Sequence, residues 1–389
     1  MWWRRGGARA ASLAWSRPAP FLPAPGGASI ARGCGLARAI APPPRATSRH
    51  ASASFASSAA PGPDVRAAFA YCSDTVRAHD YESYLCTLFL PRRRRPAALA
   101  LRAFNVETAN ALGAAKEPHL ALMRLRWWRD AVDALHDDRA RVPDHPVARA
   151  LAAVLRGGRG GAMTRRWMAR MVDARVEDAE RDGAQPPRLA DLERYADDTH
   201  ASLLCALLDL TGARRDAASP IDADHCAAHV GKAIGIANTL RGASAHAAQR
   251  RCYVPADVCA ETGAVAEAFH RRDVSDETKD AVHRVASRAK AHLDAARAMC
   301  DRIQPKKNLS GKGRETETAT ATKPATLSSA DEGPAARASA VFLPAVATGA
   351  YLDALEARDF DAFHPGLERT AAPIVTQWRI AWAAYRGRY

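Results

Sequence analysis

Apolar residues recur at three- and four-residue steps through most of this chain. In HLALMRLRWWRDAVDALHDD, residues Leu125, Trp128, Val132 and Leu135 fall on one stripe, as a helix with one buried face requires. Val230, Ala233, Ile234, Ala237 and Leu240 form a second stripe, and Val282, Val285, Ala289, Leu293 and Ala296 a third. The stretches VRAAFAYCSDTVRAHDYESYLCTLFLP, PAALALRAFNVETANAL, TRRWMARMVDARVEDAERD, LADLERYADDTHASLLCALLDLTG and VFLPAVATGAYLDALEARDFDAFHPGL also read as helical. Pro96 suits a first helical turn, Thr164 is the expected cap of its helix, and Gly212 is a C-terminal stop. Strand-like alternation is nearly absent, and Pro and Gly fall between helices, not between domains. The pattern predicts one all-α domain over residues 64–389, without an internal repeat of fixed period.

Two segments depart from it. Residues 304–340 are polar and small and cannot bury enough surface to order themselves, so a disordered insertion in an interhelical loop is expected. Residues 1–63 hold eight arginines and no acidic residue, in a background of Ala, Ser, Pro and Gly. That composition is the mark of a mitochondrial or chloroplast transit peptide, with mitochondrion preferred over plastid. The leader also explains most of the net charge: of +14 overall, eight charges belong to it, which leaves the rest at roughly +6. This is too little to read as a nucleic-acid footprint.

The rest of the composition is that of an ordinary globular chain: 389 residues, 48% hydrophobic and 25% charged. No run of about 18 apolar residues is present, so no spanning helix is expected. The 8 cysteines are scattered with no CxxC pair, which gives no support to a zinc ribbon or a redox pair and fits a reducing compartment.

Candidate chemistry is sparse. His225 and His229 are four apart and can face one metal, with Asp222 or Cys226 as a third ligand. The competing reading has Asp222 or Asp224 cap that helix. In VDARVEDAERD, Asp173, Glu177, Asp178 and Glu180 read as a solvated face partly neutralised by Arg175 and Arg181. Asp197 and Asp198 are adjacent, about 100° apart on a helix, and are not expected to converge. Arg92–Arg95 read as a solvated loop; the competing reading is contact with anionic headgroups or RNA. Trp127 and Trp128 are expected in the core and a groove wall, and Phe360 and Phe363 in packing. RGGRGGAM lacks the Lys-Ser/Thr of a phosphate loop.

LRAFNVETANALG (101–113) and GIANTLRGASAHAAQRRCYVP (235–255) resemble the two acidic helices of squalene and phytoene synthases. RLRWWRDAVDAL and HPVARAL follow that family in order and spacing, and the likeness covers most of residues 66–303 and, more loosely, 338–367. It implies an isoprenoid-synthase-type helical bundle with a central cavity. The enzymes bind Mg²⁺ through clustered aspartates on two facing helices, and the metal assists departure of diphosphate. Where the resemblance places the first cluster, this chain has Ala109, Asn110 and Gly113, near Asn105 and Glu107. Where it places the second, Gly242 and His246 follow Arg241. These eight residues define a vestigial pocket, with no catalytic residue, metal or cofactor expected.

HDYESYLCTLFLP, ALRAFNVETA, DADHCAAHVGKAIGIANTLR and DFDAFHPGL are most similar to a non-catalytic branch of the same family that serves mitochondrial complex I assembly. The resemblance implies a pseudoenzyme acting early, peripheral on the matrix side of the inner membrane. Its implied partners are complex I intermediates or a membrane-arm subunit, with an isoprenoid or lipid guest in the cavity and no nucleic acid. The alternative is a prenyl-diphosphate transferase with a degenerate or relocated metal site.

Overall fold

The three apolar stripes fall where helices bury one side. The computed structural model describes residues 63–114, 117–157, 163–303, 338–367 and 373–389, and its described regular structure is helical throughout. The first half holds α1 (Pro63–His79), α2 (Tyr81–Thr87), α3 (Arg95–Ala109), α4 (Ala111–Ala114), α5 (Pro118–His136), α6 (Pro146–Arg156), α7 (Arg165–Glu180), α8 (Leu189–Ala196) and α9 (Ser202–Thr211). A π-helical turn, Asp197–Ala201, joins α8 to α9. The second half holds α10 (Ala213–Asp216), α11 (Pro220–Arg241), α12 (Ala243–Ala248), α13 (Ala256–Thr262), α14 (Ala266–Arg271), α15 (Asp276–Ile303), α16 (Ala338–Val341), α17 (Pro344–Glu356) and α18 (Pro373–Arg386). Residues 1–62, the expected leader, and 304–337, most of the expected insertion, lie outside the described residues. At the edges of both segments the structure differs from the sequence reading. Pro63 already begins α1, and residues 338–340 belong to α16, where Ala338 and Ser339 are buried.

α11 sits at the centre, packed chiefly on α15 and also on α8, the π turn, α9 and α17. Its neighbours surround it, so burial extends beyond the predicted stripe to Ala223, Cys226, Ala227, Gly231, Gly235 and Ile236. Gly231 and Gly235 let the π turn and α8 approach to backbone contact. A Cβ on Gly231 would stand 2.3 Å from the Ala201 nitrogen, and one on Gly235 2.4 Å from the Ala196 Cβ. Around this centre, α1 packs on α3 and α6, and α5 on α7. Phe104 meets Trp128 edge to face at 5.3 Å, which places α3 against α5 in the core.

The predicted termini hold in part. Gly212 ends α9 in the left-handed conformation at φ 75°, the stop that glycine supplies without a Cβ clash. Thr164 occupies the N-cap of α7, but its side chain makes no capping bond. Ser219, not Asp222 or Asp224, caps α11: its Oγ accepts from the Asp222 amide at 3.2 Å, while Asp224 pairs with Arg214.

Candidate functional site

The polar interior of the bundle lies between α3, α7, the π turn and the end of α11. Asn105 and Glu107 are two residues apart, about 200° around a helix, and so serve opposite faces of α3. Asn105 faces inward, where its Oδ1 accepts from Arg175 Nη2 at 2.7 Å. Glu107 faces α1 and accepts from the Tyr71 hydroxyl at 2.7 Å. Its charge also reaches Cys72 and His145, not the ends of α11. Ala109 is exposed, and Asn110 serves as the C-cap of α3 through its backbone. Gly113 in α4 lies beside the Gln249 side chain at the end of α12, where a Cβ would find Nε2 at 3.5 Å.

At the end of α11, the His246 imidazole fills the space beside Gly242. A Cβ on Gly242 would lie 2.5 Å from His246 Cε1 and 2.9 Å from its Nε2. The His246 ring rests on Tyr253, with centroids 4.6 Å apart, and its buried Nδ1 has no hydrogen-bond partner among the described residues. Burial holds His246 neutral, with its pKa lowered to about 4. Arg241 turns aside, pairing with Glu82 at 2.9 Å over the Tyr351 ring.

Between Asn105 and His246 stands a network whose α7 members sequence reasoning assigned to solvent. Arg175 and Asp178 are both buried on α7. The Asp178 carboxylate accepts from the Tyr253 hydroxyl at 2.6 Å and from Arg181 at 2.7 Å, and Arg251 donates to its backbone carbonyl at 2.9 Å. Burial pushes the nearby Tyr195 hydroxyl up to about 12 and raises Tyr253 well above its ordinary value. His200 completes the group. Asn238 donates to its Nε2, so Nδ1 carries the proton and donates to Thr199 Oγ1 at 3.0 Å. Burial, with Arg175 and Arg102 nearby, lowers its pKa to about 3. Of these residues, Asn105 and His246 were named from the sequence as pocket positions, and Arg175, Asp178 and Arg181 as part of a solvated face. Arg102, Tyr195, His200 and Asn238 were not, and the Arg250–Arg251 pair with the Tyr253-Val254-Pro255 run after it was the available signal.

This donor set does not fit magnesium. Hard divalent cations take clustered oxygen ligands. Here one buried carboxylate is already engaged, and its surroundings are guanidinium, phenol and neutral imidazole. Among the described residues no group of three or more His, Cys, Asp or Glu side chains could hold a metal ion. A cavity beside Leu240, His246, Tyr253, Phe269 and Phe363 offers about 20 Å³ to a water-sized sphere. That is room for a water, far less than an isoprenoid chain needs.

The other candidates separate cleanly. His229 meets His292 of α15, ring nitrogen to ring nitrogen, at 3.0 Å, while His225 is exposed and Cys226 contacts Tyr389. Asp173 pairs with Arg129 and Glu177 with Arg194, both exposed, so the solvated reading holds for them but fails for Arg175 and Asp178. Asp197 and Asp198 do converge, against expectation, and both bind Arg170. The π turn rotates successive residues by less than an α-helix does, and one forked guanidinium spans the pair. Arg94 is buried rather than solvated, whereas Arg92 and Arg93 are exposed. Trp128 is core and Trp127 remains half exposed at the surface, packed on His145. Phe360 and Phe363 pack against the main core.

The neutral imidazoles set a pH dependence. His200 and His246 bind a proton near pH 6.5 when unfolded, but only near 3 and 4 when folded. Their contribution is therefore fully present above about pH 6.5 and is lost as pH falls toward 4. At pH 5 each favours unfolding by about 2 kcal/mol relative to pH 7. Thermal melts should show a falling midpoint over this range, with a shallower slope in His246→Asn. Equal slopes would show that His246 is not held neutral.

Comparison with known proteins agrees with this reading of the fold. The squalene/phytoene synthase family model matches residues 76–386. NADH dehydrogenase (ubiquinone) complex I, assembly factor 6 of Rattus norvegicus is 34% identical over 327 residues, 82% of this chain and 85% of that protein. The Homo sapiens protein is 32% identical over the same shares, and the Drosophila melanogaster homolog is 34% identical over 82% and 84%. A dehydrosqualene synthase crystallised with ligand superposes with a TM-score of 0.63 at 18% identity, over 83% of this chain and 97% of that one. A squalene synthase of Alicyclobacillus acidocaldarius superposes with a TM-score of 0.57 at 18% identity, over 76% and 96%. The synthase structures share the helical fold, and the far higher identity lies with the assembly factors: the chain belongs to the squalene/phytoene synthase family, on the branch that holds the complex I assembly factor 6 proteins.

Proposed function

We propose that this chain is a non-enzymatic assembly factor for mitochondrial respiratory complex I, acting early and supporting a membrane-arm subunit at the matrix face of the inner membrane. The observation that carries the reading is the similarity to assembly factor 6 proteins along four-fifths of both chains. The interior supports the non-enzymatic part. The His246 ring occupies the volume beside Gly242, and cationic and neutral groups replace the oxygen ligands a diphosphate–magnesium site requires. Residues 1–62, outside the described structure, would supply the mitochondrial address, and the eight named pocket positions would be remnants of an ancestral reaction chamber.

Deletion of the gene tests the reading. Native gels of respiratory complexes should show complex I lost and early membrane-arm intermediates altered, with the other complexes retained. Unchanged complex I would refute it. In parallel, purified protein incubated with farnesyl or geranylgeranyl diphosphate and Mg²⁺ should give no product. Turnover abolished by EDTA would establish a working transferase instead.

A further inference from the structure

α18 carries a second apolar stripe that the fold does not bury. Ile374, Trp378, Trp382 and Tyr385 fall within about 80° of one another around the helix, and they are 63%, 67%, 53% and 83% exposed. The opposite side is engaged: Ile380 is buried with Cys86 and Leu343, and the partly buried Ala383 and Ala384 pack beside them. The helix is also pinned at both ends. Gln377 donates to the Tyr81 hydroxyl at 3.1 Å. Beyond the last turn, the Tyr389 ring is buried against Phe342, and its hydroxyl contacts Cys226 and Ala296. The outward stripe therefore sits on a helix held in place by its other face.

The chemistry of the stripe is specific. Trp382 and Tyr385 stack at 5.9 Å, and Arg386 lies over Trp382 at 5.7 Å. Arg379 and Arg386 share one flank of the helix, both exposed, and Pro373–Arg386 contains no Asp or Glu. The end of α2 that packs on α18 runs on into Leu88 and Phe89, 39% and 42% exposed, and then exposed Arg92. Indole and phenol rings prefer the boundary between acyl chains and headgroups, and flanking arginines reach anionic headgroups. A stripe of exposed rings with a basic flank, on a helix that itself carries no carboxylate, matches an anionic bilayer surface in chemistry and charge.

We propose that the outward face of α18, led by Trp378, Trp382 and Tyr385 with Arg379 and Arg386, docks the protein peripherally on anionic lipid. The assignment deepens the membrane-side reading above and rests on it for its setting, but its test does not depend on complex I. The full chain is floated with vesicles of phosphatidylcholine alone and of phosphatidylcholine mixed with cardiolipin. Binding is expected to the mixed vesicles, to weaken with salt, and to drop at least tenfold in W378A/W382A/Y385A. R379Q/R386Q should lose the preference for cardiolipin. All five residues are exposed, so far-UV circular dichroism and melting should match the wild type. Should the triple variant melt early, bromine-labelled acyl chains provide a second readout, since they should quench wild-type tryptophan emission on mixed vesicles. Absence of flotation by the wild-type chain, undiminished binding of a folded triple variant, or absence of quenching would each overturn the proposal. So would a triple variant that floats normally but no longer captures a complex I intermediate, which would make the stripe a protein interface. Failed flotation with complex I still dependent on the gene would leave the assembly role standing. Normal flotation with complex I unaffected would leave only the docking face.

Discussion

Gly231→Leu is expected to abolish folding, and Gly231→Ala to destabilise the protein by 3 kcal/mol or more, of the order of the upper range for overpacked cores. A Cβ at this position would meet the backbone nitrogen and Cα of Ala201 at 2.3 and 2.4 Å. Backbone atoms cannot rotate aside as a side chain can, so α11 would have to separate from the π turn. That separation would open the central helix on the face where it also meets α8, because Gly235 lies one turn further on against Ala196. Total stabilities of single domains are only about 5–15 kcal/mol, so the loss is a large fraction of the whole. Urea denaturation of Gly231→Ala and Gly235→Ala provides the measurement. A Gly231→Ala protein with the wild-type midpoint would show that the close crossing does not exist as described.

Asp178→Ala is expected to cost about 3–5 kcal/mol, the range for removing one partner from a buried ionic group. The carboxylate holds the Tyr253 hydroxyl and Arg181, with Arg251 3.8 Å away, and it is almost wholly buried. Without it, the buried Tyr253 hydroxyl loses its acceptor and Arg181 loses its 2.7 Å partner. Asp178→Asn should cost less, because an amide oxygen still accepts from Tyr253. Combining Asp178→Ala with Tyr253→Phe should cost less than the two separate losses together, since the second change removes a donor the first has orphaned. A loss within about 0.5 kcal/mol for Asp178→Ala would place this residue in solvent, as the helix-face reading of its sequence had it.

That misplacement marks a general boundary. In VDARVEDAERD seven of eleven residues are charged, and a helix so patterned is ordinarily solvated. The chain alone cannot reveal that α7 turns Arg175 and Asp178 toward Asn105 and Tyr253, since those partners are about 70 residues away in sequence on either side. Asp197 and Asp198 fail for a local reason: the 100° separation assumes an α-helix, and the chain takes a π turn there. The exposed stripe of α18 recurs at steps of four, four and three residues, yet the sequence reading stopped short of this helix. Periodicity could not tell whether that stripe or the one through Ile380 faces the core, because both are apolar.

What the sequence by itself determined is the helical class, the stripes of α5, α11 and α15, and the stop at Gly212. Each follows from residue type and spacing within a few turns, and such local physics needs no neighbours. Only the tertiary structure decided that His246 fills the space beside Gly242, that Asn105 and not Glu107 faces the interior, and that two charges of α7 are interior. These depend on which side of one helix meets which side of another, and burial, not sequence, sets whether a charge is solvated or must find a partner.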